Sequence, residues 1–209
     1  MQRLIPIENQ GFSCKTYRFK NYILKKLTSS KEQQQKEFTI ALKAYKNDIG
    51  AKPILLDVKN SLIIYKFLEG KHKNNLKIKD IRNIAFLVKK LHKIQISNRV
   101  FNHKKDYVLC HQDLNPKNFI FSKNIKLIDW EYAGLNDRYF DLATIIIEFN
   151  LNKKQENILL NSYFKNIYDI KRKKLTSFKH NYISICIKWF SKRKNQKEKV
   201  RYQKLYTLL

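Results

Sequence analysis

The feature that most restricts this chain is the run His111-Gln112-Asp113-Leu114-Asn115-Pro116-Lys117-Asn118, of the form H-x-D-x-x-x-x-N, with Ile128-Asp129-Trp130-Glu131 following shortly after it. Residues 118–121 and 125–128 are rich in β-formers and flank Ser122-Lys123-Asn124, which predicts a tight hairpin. A loop holding Asp113 and Asn118, and a hairpin returning Asp129, bring three oxygen-bearing side chains to one edge, a set suited to a hard cation. Phosphoryl transfer asks for such a set. It needs a carboxylate beside the attacking hydroxyl and oxygen ligands for a magnesium ion bridging the phosphates, because its catalysis is mainly positioning and charge neutralisation. His111 is expected to orient the loop by hydrogen bonding rather than to act as a base.

Around this motif the hydrophobic periodicity predicts an α+β chain. Residues 12–27 alternate, with Lys20-Asn21 as the turn of a hairpin. Residues 31–46 are good helix formers in which Phe38, Leu42 and Tyr45 recur on one face, able to pack on that hairpin. Pro53 opens a strand over 54–57, a second runs over 62–67, and Glu69-Gly70 close the unit. Beyond it, Asp80 is placed to cap a helix carrying Ile81, Ile84, Leu87, Val88 and Leu91 on one stripe and ending near His92. Strand-like 108–110 leads into the motif. Helical patterns then fill 141–149, about 154–168 and 175–190, ahead of a basic tail. Asp137 and Arg138 read as a surface pair in a turn.

Composition narrows the field. The 209 residues, 43% hydrophobic, can bury a substantial core but lie near the lower limit for two lobes. No run reaches the length of a membrane span, and residues 1–10 are too short and broken for a signal peptide, so a soluble, cytoplasmic protein is expected. Three cysteines without C-x-x-C spacing suggest buried free thiols rather than a disulfide framework or zinc site. The net charge of +27 would attract any polyanion. Lysine, asparagine and isoleucine are all abundant while glycine is scarce, a bias that an AT-rich coding sequence also produces, so a solvated lysine surface is favoured over nucleic-acid binding. No sequence feature sets an oligomeric state.

Within 111–150, the runs His-Gln-Asp-Leu-Asn-Pro-Lys-Asn, Leu-Ile-Asp-Trp-Glu-Tyr-Ala-Gly and Asn-Asp-Arg-Tyr-Phe-Asp-Leu-Ala resemble the choline and ethanolamine kinase group of the aminoglycoside phosphotransferase-like superfamily, relatives of the protein kinases. They look like the bacterial choline kinases of lipopolysaccharide decoration. The resemblance implies a bilobal kinase-like fold, with a nucleotide lobe over 1–68 and a catalytic and acceptor lobe over 69–209. It implies Mg2+ and ATP as cofactors, Asp113 as catalytic base, and Asn118 and Asp129 as metal ligands. It further implies a nucleotide loop over 11–18, in which Gly11 stands alone where protein kinases have three glycines, and a strand carrying the phosphate-binding lysine. Lys25 and Lys26 point to opposite faces of that strand, and Lys25 is preferred. Glu37 is the expected partner of Lys25, with Glu32 as competitor, and residues 65–69 would face adenine. Asp141 would hold the catalytic loop.

For the acceptor, a quaternary ammonium cannot donate hydrogen bonds, so its site should join aromatic faces to carboxylates. Glu131 and Glu148 match the acidic acceptor positions of the choline kinases, and Trp189 beside Phe190, with Tyr132 second, are the aromatic candidates. Trp189 equally suits a core position. Choline is the preferred acceptor, with ethanolamine or thiamine as alternatives. Aminoglycosides are disfavoured, because the last fifty-odd residues are overwhelmingly basic. A non-catalytic binding protein on the same fold is the reading from another class.

Overall fold

The structure, a computed structural model, describes residues 4–7, 14–96 and 107–209. Strands β1 (Ile5–Pro6), β2 (Lys15–Phe19) and β3 (Tyr22–Lys26) lead into helix α1 (Lys31–Lys46), and β4 (Pro53–Asp57) and β5 (Leu62–Lys66) follow. These strands form one antiparallel sheet in the order β1-β2-β3-β5-β4. The register sets Lys25 on the central β3 between Thr16 of β2 and Ile63 of β5. The turn at Lys20, in left-handed backbone (φ 52°), fixes that hairpin where Lys20-Asn21 foretold it.

Ser30 caps α1, its Oγ accepting from Gln33 N at 3.3 Å. The helix has the expected limits, but its buried face is not the Phe38, Leu42, Tyr45 stripe. Gln34, Glu37, Ile40, Ala41 and Ala44 are buried, while Tyr45 is exposed and Phe38 and Leu42 are half-buried. Helix α1 packs against β4 with small residues inward; of its two buried polar groups, Glu37 serves the site below and Gln34 donates to the Ser29 carbonyl and Ser61 Oγ.

Gly70 makes the passage to the rest of the chain. Its φ of 152° and the 2.6 Å that a Cβ would leave to Ile120 Cγ2 admit only glycine, because Lys71 and Phe121 exchange backbone hydrogen bonds of 3.0 and 2.9 Å at that point. Helix α2 (Ile78–Leu91) begins at Lys77. Asp80 is therefore not its cap: it lies in the first turn, where its carboxylate accepts from Lys77 N at 3.0 Å and pairs with Lys73 at 2.7 Å. Strand β6 (Val108–Cys110) pairs antiparallel with β9 (Gly134–Asn136), enclosing the expected hairpin of β7 (Phe119–Phe121) and β8 (Ile125–Leu127).

Helices α3 (Arg138–Glu148), α4 (Lys153–Tyr163), α5 (Arg172–Lys192) and α6 (Gln196–Thr207) complete the chain. Asp137 is the N-cap of α3, buried and paired with Lys174, so it is not half of a surface pair with Arg138. Helix α4 stops at Tyr163 rather than near 168, where Asn166 caps a short 3-10 turn instead. The basic tail is itself helical: α6 folds back along α5 with Tyr202 inward. One core runs through both halves, from Ile40, Ala44 and Ile63 to Leu109, Leu127 and Leu142. Cys110 and Cys186 are buried and Cys14 half-buried, all as free thiols. Among the described residues no helix is long and apolar enough to cross a membrane.

Candidate active site

Strand β6 ends at Cys110 and releases the loop 111–118 between α3 and the β7–β8 hairpin. Gln112 and Asp129 adopt left-handed backbone, φ 66° and 68°, a conformation that costs a non-glycine residue on the order of 1–3 kcal/mol and persists only where its surroundings enforce it. Those surroundings are visible. The fully buried Asp141 accepts the backbone N–H groups of His111 and Gln112, both at 2.9 Å, and the Nε2–H of His92 at 3.0 Å. His111 lies against Trp130, ring centres 4.7 Å apart, and donates from Nε2 to the Ile128 carbonyl at 2.9 Å, one residue before Asp129. His111 thus ties the loop to the hairpin. His92, Cys110 and Asp141 lie close enough to suggest a metal, yet the Asp141 oxygens already accept three N–H donors, which makes the cluster a loop anchor.

Asp113 is held by two amides. Its carboxylate accepts from Asn115 Nδ2 and Asn118 Nδ2, each at 2.9 Å, and Asn118 Nδ2 also donates to the Asp113 carbonyl at 2.8 Å. With its nitrogen so engaged, Asn118 has only its oxygen to offer a cation. Burial pushes the Asp113 carboxyl above the usual aspartate range against the pull of the Asn115 hydrogen bond, and the nearby Asp129 charge adds to the rise. A carboxylate that is desolvated, fixed and raised in basicity can take a proton from a hydroxyl.

Across from it, Lys25 Nζ lies 2.7 Å from Glu37 Oε1, 2.5 Å from Asp129 Oδ1 and 3.6 Å from Glu131 Oε2. Burial opposes its charge, but Asp129 and Glu37 outweigh that and hold the amine as an ammonium. Burial raises the Glu37 carboxyl, and Lys25 pulls it back. Lys26 points away, donating to the Asn60 carbonyl at 2.7 Å, and Glu32 is exposed. Helix α1 also grips the segment after Asp129: Gln33 Nε2 donates to the Glu131 carbonyl at 2.5 Å, and Lys36 reaches over Gly134. Asp129 and Asn118 fit a magnesium ion in donor chemistry, and the ammonium beside Asp129 shows that this carboxylate already holds a cation.

Glu148, at the end of α3, is half-buried, and the Asp113 charge is felt there. Tyr182 of α5 and Tyr202 of α6 donate to its Oε1 at 2.7 and 2.5 Å. Burial raises the Glu148 carboxyl despite these donors. Sequence reasoning missed both tyrosines. Tyr182 was legible as the residue four before Cys186 on the inward face of α5, whereas Tyr202, the one buried residue of a polar helix, left no periodic signal. Trp189 is half-buried on α5, edge-on to Phe190 and stacked 3.7 Å beneath Arg193. Tyr132 is 44% exposed, its carbonyl accepting from Gln112. Gly11 lies outside the described residues.

The chain is similar to known proteins in sequence and in fold. Protein LicA of Haemophilus influenzae is 43% identical over 81 residues, 34% of this chain and 24% of LicA, so the aligned part spans about a quarter of that relative. The choline kinase LicA from Streptococcus pneumoniae superposes with a TM-score of 0.78 at 17% identity, over 99% of this chain and 94% of that one. A choline/ethanolamine kinase family protein from Mesorhizobium loti superposes with a TM-score of 0.76 at 16% identity, over 97% and 87%. Together they show the bilobal kinase-like fold. The sequence model of the choline/ethanolamine kinases matches residues 24–208, and the chain belongs to the choline/ethanolamine kinase family.

Proposed function

We propose that the protein is a small-molecule kinase that moves the γ-phosphate of ATP onto the hydroxyl of choline in the cytoplasm, with residues 1–68 forming the nucleotide lobe and 69–209 the catalytic and acceptor lobe. The observation that carries this reading is the convergence on one site of a half-buried carboxylate held by two amides, Asp113, and a buried ammonium shared by Glu37 and Asp129. Lys25 binds the phosphates, and Glu37 keeps its amine aimed at them. Asp129 and the Asn118 oxygen would hold Mg2+, which would supply positive charge against that of the phosphates. Asp113 orients the acceptor hydroxyl and takes its proton.

The acceptor end offers a cation both charge and aromatic surface. Glu148 supplies negative charge, and Tyr182 and Tyr202, both donating to its Oε1, set aromatic rings beside it. Trp189 and Tyr132 extend that aromatic surface. Glu131 takes its acceptor role from its position two residues after Asp129, though here it also leans toward Lys25. Release of ADP from Mg-ATP, measured in parallel with choline, ethanolamine, thiamine and kanamycin and with Asp113→Asn as blank, tests the proposal. Choline-dependent turnover absent from the variant supports it; preference for another acceptor reassigns the substrate, and silence with all four rejects the reading.

A further inference from the structure

Far along α2 from its start, where α3 and α4 also end or begin, the surface dips into a cavity of about 270 Å³. Four cations line it: Lys89 and Lys93 from the end of α2, Arg138 from the first turn of α3, and Lys165 just beyond α4. Asp169 is the carboxylate in the lining, and among the described residues none of the four cations forms an ion pair. At Glu156, by contrast, one carboxylate collects Lys153, Arg172 and Lys179. A helix C-terminus accounts for cations at Lys89 and Lys93, but Arg138 stands at the opposite, unfavourable end of its helix, and Lys165 belongs to none. The lysines repel one another: Lys89 is held below the usual lysine range by desolvation and by Lys165 and Lys93.

The floor of the cavity is chemically connected to the catalytic loop. Arg138 acts on the Tyr163 hydroxyl, which lies 2.7 Å from His92 Nδ1. His92 Nε2 donates to Asp141, and Asp141 accepts the N–H groups of His111 and Gln112. We infer that this cavity binds a small phosphate-bearing anion, inorganic phosphate or a phosphomonoester, and that its occupancy is transmitted through Tyr163, His92 and Asp141 to the loop carrying Asp113.

Size and charge select the ligand class. The volume is just below the roughly 300–1,000 Å³ of clefts that take drug-sized ligands, which suits a tetrahedral dianion better than a nucleotide. A guanidinium and three ammonium groups converging on one hollow match the several acceptor oxygens of phosphate. Bound there, the anion fixes Arg138 beside Tyr163 and so stiffens the hydrogen-bonded path to residues 111 and 112.

Calorimetric titration with inorganic phosphate, and separately with glycerol phosphate, at constant ionic strength tests the site. The wild-type chain is expected to bind at least one of them with millimolar affinity. Lys93→Glu with Lys165→Glu, both at exposed positions, should weaken binding by at least about tenfold, whereas the exposed pair Lys59→Glu with Lys123→Glu, of equal charge change, should leave it intact. Lys93→Gln with Lys165→Gln should weaken binding in the same direction with less change of surface charge. No binding of either anion, or equal binding by both charge-reversed pairs, would overturn the site. Hydrogen exchange of the His111 and Gln112 amides should slow with phosphate in the wild type only, and unchanged exchange on saturation would overturn the coupling.

Discussion

Lys25 Nζ lies 2.5 Å from Asp129 Oδ1, closing a gap of 104 positions in the sequence, while the same ammonium touches Glu37 Oε1 at 2.7 Å. One cation therefore joins the sheet, helix α1 and the end of the β7–β8 hairpin. Glu37 has no exposed side-chain surface, so its charge depends on Lys25.

That dependence can be measured. Lys25→Met should strip Glu37 of its partner and destabilise the protein by roughly 3–5 kcal/mol, the range for breaking a buried ion pair from one side. Lys25→Met with Glu37→Leu should recover most of that loss, because no buried charge remains. Neither variant should turn over ATP. Urea unfolding with an ADP-release assay reads both effects, and a double variant as unstable as the single one would refute the account.

The two aspartates should divide the reaction between them. Asp113→Asn keeps the shape and the Asn115 contact but cannot take a proton, so kcat should fall about 10²–10⁴-fold with Mg-ATP affinity little changed. Asp129→Ala should weaken Mg-ATP binding itself. Nucleotide titration of both variants decides the matter, and equal loss of affinity in the two would remove the distinction.

Much of this arrangement was legible in the sequence, because Asp113, Asn118 and Asp129 sit in a short local frame whose hairpin is dictated by Ser122-Lys123-Asn124. The limits of α1 were legible for the same local reason, Ser30 followed by good helix formers. Its buried face was not, since Gln34 and Glu37 point inward toward partners distant in sequence, Ser61 and Lys25, that no periodicity encodes. Tyr202 was hidden similarly: α6 is almost wholly polar, and its one buried ring is defined by Glu148, 54 residues earlier. Asp137 resembled a surface charge until α3 began one residue after it.

The pH profile follows from Asp113. Its carboxyl is raised, chiefly by burial, and as the proposed base it must be ionised to accept the hydroxyl proton. Activity should then fall as pH drops through a value above the ordinary aspartate figure of about 3.9. The acidic limb of kcat/KM against pH, taken where the fold is intact by circular dichroism, checks the sign. A limb at or below that of an exposed carboxylate would contradict the burial effect.

In its proposed acceptor-binding role, Glu148 would couple acceptor binding to a stability cost. Its carboxyl is raised by burial, so the folded state binds the proton more tightly than the unfolded chain does. The stability this provides is present below the unfolded glutamate value and is lost as pH rises through the higher folded value; at neutral pH the ionised group weakens the fold. Glu148→Gln retains an oxygen for the Tyr182 and Tyr202 hydroxyls while removing the charge. It should stabilise the protein at neutral pH by on the order of 1 kcal/mol, raising the melting temperature by roughly 2–4 °C for a chain of this size, and the gain should shrink at acid pH. The same change removes the attraction for a cationic acceptor, so KM for choline should rise at least about tenfold with KM for ATP unchanged. Thermal unfolding at two pH values with acceptor titration tests both halves at once, because a purely structural Glu148 would alter stability without moving the acceptor KM.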